Sequence, residues 1–207
     1  MNAFRMTLPL SAVVLACASA STFAQSHGGA HMAPKTDAEM ITNAMSAAPR
    51  AVAETATIIA MNEKGEMRVL RQGTGNFTCM PDNPMSPGND PMCLDKNAME
   101  WAKAWMEHKE PPKGQIGLAY MLAGGSDASN DDPYATAPQA GHKWVDTGPH
   151  VMILNAVDLL QGYPKTAENP RMPYVMWGNT PYAHIMMPVA EPIEQTAEAP
   201  ASSPAKP

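Results

Sequence analysis

Proline limits what this chain can fold into more than any other residue does. The 207 residues include 21 prolines, roughly twice the ordinary share. Each one fixes φ and removes a backbone donor, which argues against long helices and against a freely propagating sheet. The expectation is a loop-rich fold of many short elements. Methionine is also abundant at 18, aromatics are sparse, and hydrophobic residues make up 44% of the chain. Once the two ends are set aside, roughly 140–150 residues remain, enough for one good core.

The first 24 residues read as an export signal. Arg5 supplies the positive start, Leu8 to Ala18 the apolar run, and Thr22-Phe23-Ala24 the small-residue cleavage site, with the cut after Ala24. The run is too short to cross a bilayer and no other segment approaches that length, so no transmembrane segment is expected in the mature chain. Val14-Leu15-Ala16-Cys17 resembles a lipobox, and the alternative is a lipid anchor at Cys17. The expected location is exported, periplasmic or extracellular, or lipid-anchored in the envelope. The formal charge of -6 excludes the basic surface that nucleic acid requires.

Export gives the cysteines their meaning. With Cys17 removed or lipidated, Cys79 and Cys93 remain, and a pair in an oxidising compartment points to a disulfide. The segment between them holds four prolines and no helix or strand pattern. Closing a loop of that size stabilises the fold by roughly 3 kcal/mol in the chain-entropy picture. The alternative is a soft-metal site using both cysteines with Met80, Met85 or Met92.

Periodicity places the elements. Residues 25–35 are polar and expected to be disordered, yet they carry His27, His31 and Met32. A cut after Ala24 would leave histidine third from a free amine, a Cu(II) or Ni(II) binding pattern. Thr36-Asp37-Ala38-Glu39 is a capping box opening a helix that Pro49 stops. Thr55 to Met61 and Glu66 to Arg71 read as a hairpin turning at Gly65. Asp95 caps a second helix with Ala98, Trp101, Ala102, Trp105 and Met106 on one face, read as a core anchor or a stacking platform. Gln115 to Ala123 reads as a strand ending at Gly124-Gly125. A polar loop of some eighteen residues follows, the kind that is usually functional or disordered. Its Asp127-x-Ser129-x-Asp131 run lacks the glycine and distal glutamate of a calcium loop. Residues 190–207 are rich in Pro, Ala and Glu and expected to be disordered.

The chemistry centres on two apolar strands that each begin near a histidine. Gly148-Pro149-His150-Val151-Met152 and Pro181-Tyr182-Ala183-His184-Ile185-Met186 both carry His-x-Met. Side chains two apart on a strand share a face, so His150 lies beside Met152 and His184 beside Met186. If the strands are neighbours, an imidazole–thioether cluster suited to copper as Cu(I) can form between them. Two other functions use the same region. In a hydrolase-like enzyme His150 or His184 would act as general base with Asp146, Asp158 or a loop aspartate orienting it, but no nucleophile motif accompanies them. A non-catalytic envelope or ligand-binding module would use the acidic loop and the segments around Tyr134, Tyr163 and Tyr174.

The runs Gly-Pro-His-Val-Met-Ile and Pro-Tyr-Ala-His-Ile-Met-Met-Pro-Val resemble those of uncharacterised bacterial exported proteins, over about residues 100–189. The resemblance implies one genuine domain and carries no activity, cofactor or named fold. The fold expected is α+β over residues 36–189: two helices on a small, mostly antiparallel sheet, with one disulfide.

Overall fold

The computed structural model describes residues 32–62 and 66–189. The segment read as an export signal (with Cys17), the histidines His27 and His31, the hairpin glycine Gly65 and the tail from Ala190 lie outside the described residues.

The first helix, α1 (Asp37–Met45), starts as its sequence dictates. The Thr36 hydroxyl accepts from the Glu39 N–H at 3.2 Å, and the Glu39 carboxylate accepts from the Thr36 N–H at 2.9 Å. It ends at Ser46, and Pro49 then opens a second short helix, α2 (Arg50–Ala53). Proline both stops one helix and admits the next, because no intrahelical bond needs an N–H at that position. The hairpin strands β1 (Thr57–Met61) and β2 (Met67–Arg71) pair antiparallel, and β3 (Phe77–Met80) runs parallel to β1. The chain returns through the proline-rich loop as β4 (Met92–Asp95), which sets Cys79 directly opposite Cys93, and the two form a disulfide.

Helix α3 (Lys96–Met106) follows at once, with the Asp95 carboxylate accepting from the Ala98 N–H at 2.8 Å. Then come β5 (Gly117–Met121), the short pair β6 (Gly125–Asp127) and β7 (Val145–Thr147), β8 (His150–Leu154), β9 (Tyr174–Met176) and β10 (His184–Pro188), with a 3-10 turn at Val157–Leu159. The main sheet runs β2-β1-β3-β4-β5-β8-β10-β9.

The α+β class, the largely antiparallel sheet and the disulfide are as the sequence predicts. The sheet is larger than expected, at eight strands, and the helices number three among the described residues. Proline limited the length of each strand and not their number. Within the strands it occurs only as Pro188, the last residue of β10, where a lost donor costs least.

Helix α3 covers one face of the sheet, over a core that includes Trp101, Met121, Met152, Leu154, Tyr174 and Met186. Its close approach depends on Gly117: a β-carbon there would stand 2.5 Å from the Ala98 nitrogen. The small residues of β5 therefore face the helix, while Ile116 and Leu118 remain exposed. The opposite face packs Ala44, Ala47, Ile58 and the disulfide under α1, and continues as Val175, Ala183 and Ile185 beneath Leu160.

Candidate functional site

The strands β8 and β10 are neighbours, paired antiparallel. Met152 lies directly opposite Met186, and His150 opposite Pro188; the same register sets His184 across from Leu154. All four residues face α3 and all are buried: His150 and His184 are 0% and 2% exposed. The backbones of the two histidines stand four residues apart along the strand pair, about 13 Å, with the two thioethers between them. The pairing thus gives two separate imidazole environments joined by a methionine pair.

Locally the two histidines are alike. His150 Nδ1 lies 2.7 Å from the Gly148 carbonyl oxygen, and His184 Nδ1 lies 2.9 Å from that of Tyr182. A carbonyl only accepts, so Nδ1 carries the proton and Nε2 the lone pair in both rings. Burial pushes both imidazoles down to about 4, against the opposing pull of those carbonyls, and at His184 the neighbouring His150 adds a smaller push in the same direction. Both are therefore neutral near pH 7, the form that ligates metals.

Their surroundings differ. His184 is packed edge-on against Trp101 and Trp177, with ring centroids 5.4 and 5.0 Å away. His150 has methionine beside it. Met121 is its direct partner on β5, and both crowd beneath Gly125, where a β-carbon would stand 3.2 Å from His150 Cε1 and 3.5 Å from Met121 Sδ. Further along the same rung Met80 is paired with Met92. The Cys93–Tyr120 pairing sets Met92 beside Met121. A row of three thioethers thus leads across the sheet to His150.

Among the described residues, three buried side-chain atoms have no hydrogen-bond partner: Trp101 Nε1, Asn130 Oδ1 and His150 Nε2. Of these, only His150 Nε2 belongs to an imidazole, and that ring has Met121 as its cross-strand partner. A buried acceptor left unpaired costs roughly 1–3 kcal/mol. Its partner Nδ1–H is held on a backbone carbonyl, the arrangement that orients metal-ligating histidines. Among the described residues no three His, Cys, Asp or Glu side chains come together to hold a metal ion. The harder coordination of zinc, with its three or four N, O or thiolate ligands, has no donor set here. Both Cys79 and Cys93 are consumed in the disulfide, which corrects the alternative that paired them with methionine as thiolate ligands.

Several sequence-level candidates fall elsewhere. Both histidines are oriented by backbone carbonyls, and Asp146 and Asp158 are exposed without contact to either ring. The Ser129 hydroxyl accepts from the Asp131 and Asp132 N–H groups at 3.1 and 3.0 Å, so it shapes a turn of the acidic loop. Tyr134 and Tyr163 are exposed, but Tyr174 is buried at 1% and bonds Thr147 at 2.6 Å; it belongs to the core and not to a contact surface. Trp101 is core, stacked on Trp177. Met121 and Gly125 were not among the sequence candidates. Met121 is the last residue of its strand and reads there as apolar filling, and nothing local ties it to a histidine 29 residues later. No helix of the described residues is long and apolar enough to cross a membrane. No family model, curated protein or solved structure matches the chain.

Proposed function

We propose that this is an exported protein that binds one soft monovalent metal ion, of the Cu(I) class, with His150 Nε2 as the anchoring ligand and Met121 and Met152 as thioether partners. The observation that carries the reading is the unpartnered His150 Nε2, buried, neutral and tautomerically fixed beside Met121. Imidazole and thioether together are a borderline-to-soft set that suits Cu(I). Neutral ligands leave a single positive charge to be buried, where a divalent ion would carry two into the same apolar core. His184 and Met186 support this site from the adjoining strand without supplying its anchor. Residues 1–24, read as a signal peptide, would deliver the chain to a compartment where the disulfide persists.

The test is anaerobic Cu(I) titration of the mature protein in competition with a chromogenic chelator. One-site binding is expected, weakened about 100-fold or more in His150→Ala and no more than about threefold in His184→Ala, since only an anchoring ligand carries most of the affinity. A chain beginning at Ala33, without His27, His31 and Met32, should bind like the mature protein. Equal affinity in His150→Ala and wild type would overturn the proposal, as would loss confined to the Ala33 chain.

A further inference from the structure

A cleft of about 420 Å³ opens beside α3, between the disulfide loop and the long loop that follows β6. Its volume falls within the range of small-molecule sites. The lining is of two kinds. Asp90, Asp127 and Asp132 supply carboxylates, and Met92, Trp144 and Tyr134 are prominent among the apolar surfaces. None of the lining residues is a lysine, arginine or histidine.

Two of the carboxylates are already engaged. Asp90 accepts from the Ser126 N–H at 2.9 Å and from the Ser86 hydroxyl, and Asp132 accepts from the Tyr134 N–H at 2.9 Å. The Asp127 carboxylate has neither a hydrogen bond nor an ion pair among the described residues. It lines the cleft and is partly buried. Burial, and secondarily the charge of Asp90, push it up to about 7. A carboxylate held this way, with no partner of its own, is stabilised by any cation that enters.

The aromatic groups limit what that cation is. Trp105 stacks between Trp177 and Tyr134, at 5.6 and 6.5 Å, so its faces are already taken. Trp144 packs against no other ring among the described residues and is half-buried at the cleft. As an indole that lines the cleft it can offer cation–π contact, and the Met92 thioether adds an apolar neighbour. A hydrated metal ion would use the carboxylates and leave Trp144 idle, whereas an ammonium carrying alkyl groups uses both.

We propose that this cleft binds a small alkylammonium cation, its charge at the Asp127 carboxylate and its hydrocarbon against Trp144 and Met92. The site shares Met92 with the thioether row but none of the residues placed on the metal, His150, Met121 and Met152, and it does not depend on them.

The experiment is calorimetric titration of the mature protein at pH 8 with choline and tetramethylammonium, beside dimethylbutanol, the uncharged carbon isostere of choline. Saturable binding of the two cations is expected, at least tenfold tighter than that of the alcohol. Asp127→Asn, which keeps shape and removes charge, should weaken choline at least tenfold, and Trp144→Ala several-fold. His150→Ala should leave choline binding unchanged, which keeps this result separate from that of the metal titration. Absence of saturable cation binding would overturn the proposal. So would an alcohol bound as tightly as choline, or an Asp127→Asn protein that still melts cooperatively and binds choline like wild type.

Discussion

His150 and His184 begin from the same three-residue pattern, lie on paired strands, bond the carbonyl two residues back and are equally neutral. They differ in what the rest of the sheet and α3 bring against them. At His184 two tryptophans close around the ring, so the imidazole acts as an aromatic core residue. At His150 the cross-strand neighbour is Met121, Gly125 lies close over both, and the ring keeps an unpartnered Nε2. The motif fixes the tautomer and the burial, and the neighbours decide the chemistry.

The comparison is broken most forcefully from the tryptophan side. Trp101→Ala removes a nearly buried indole and the stack against Trp177 and should cost about 4 kcal/mol in denaturant unfolding. Cu(I) affinity of the remaining folded protein should stay within about threefold of wild type if His184 is core and His150 the anchor. Joint loss of stability and affinity would show the two environments to be one unit.

Acid tests what the histidines share. Their folded values lie near 4 and the unfolded value near 6.5, so the unfolded chain takes up protons first as pH falls. The stability they contribute is complete above about pH 6.5 and is lost as pH drops toward 4, at roughly 1.4 kcal/mol per unit for each ring. Asp127 has the opposite sign. Its folded value of about 7 lies above its unfolded one, so its contribution is complete below about pH 4 and fades as pH rises toward 7. Between pH 6.5 and 4.5 these three groups together should lower stability by about 2–3 kcal/mol. Asp127→Asn should steepen that fall, and His150→Leu should flatten it. A denaturant midpoint indifferent to pH over this range would contradict both histidine assignments.

Smaller effects sharpen the site itself. Met121→Leu keeps the volume and removes the sulfur, so Cu(I) should bind about tenfold more weakly at little cost in stability. Met176→Leu, on the His184 side, should change affinity less than twofold. Gly125→Ala places a methyl between Met121 and His150 and should weaken binding by a similar factor to Met121→Leu. In the cleft, choline affinity should fall several-fold from pH 8 to pH 6 as Asp127 gains a proton. Asp90, Asp132, Asp146, Tyr134 and Tyr174 are the other titratable groups around it, and Asp132→Asn should leave the pH dependence in place.

The chain's own sequence determined what is local. The Thr36–Glu39 box and the Asp95 cap start helices where they are read, because capping needs only residues three apart. The disulfide was legible because, with Cys17 set aside in the segment read as a signal, Cys79 and Cys93 are the two cysteines left. The His-x-Met strands follow from an apolar run with period two, which fixes the shared face of each histidine and its methionine. The tertiary structure alone decided which residues from distant segments meet. Strand order and register set Met121 beside His150, because a rung of the sheet joins positions with no local sequence relation. They also separated the two histidines that the motif invited one to unite, since antiparallel pairing about the Met152–Met186 centre sends them to opposite ends. Asp127 and Trp144 were legible only as loop residues. The pairing of β6 with β7 brings their two chain segments together, and contacts of that kind are set by packing, which a linear sequence does not display.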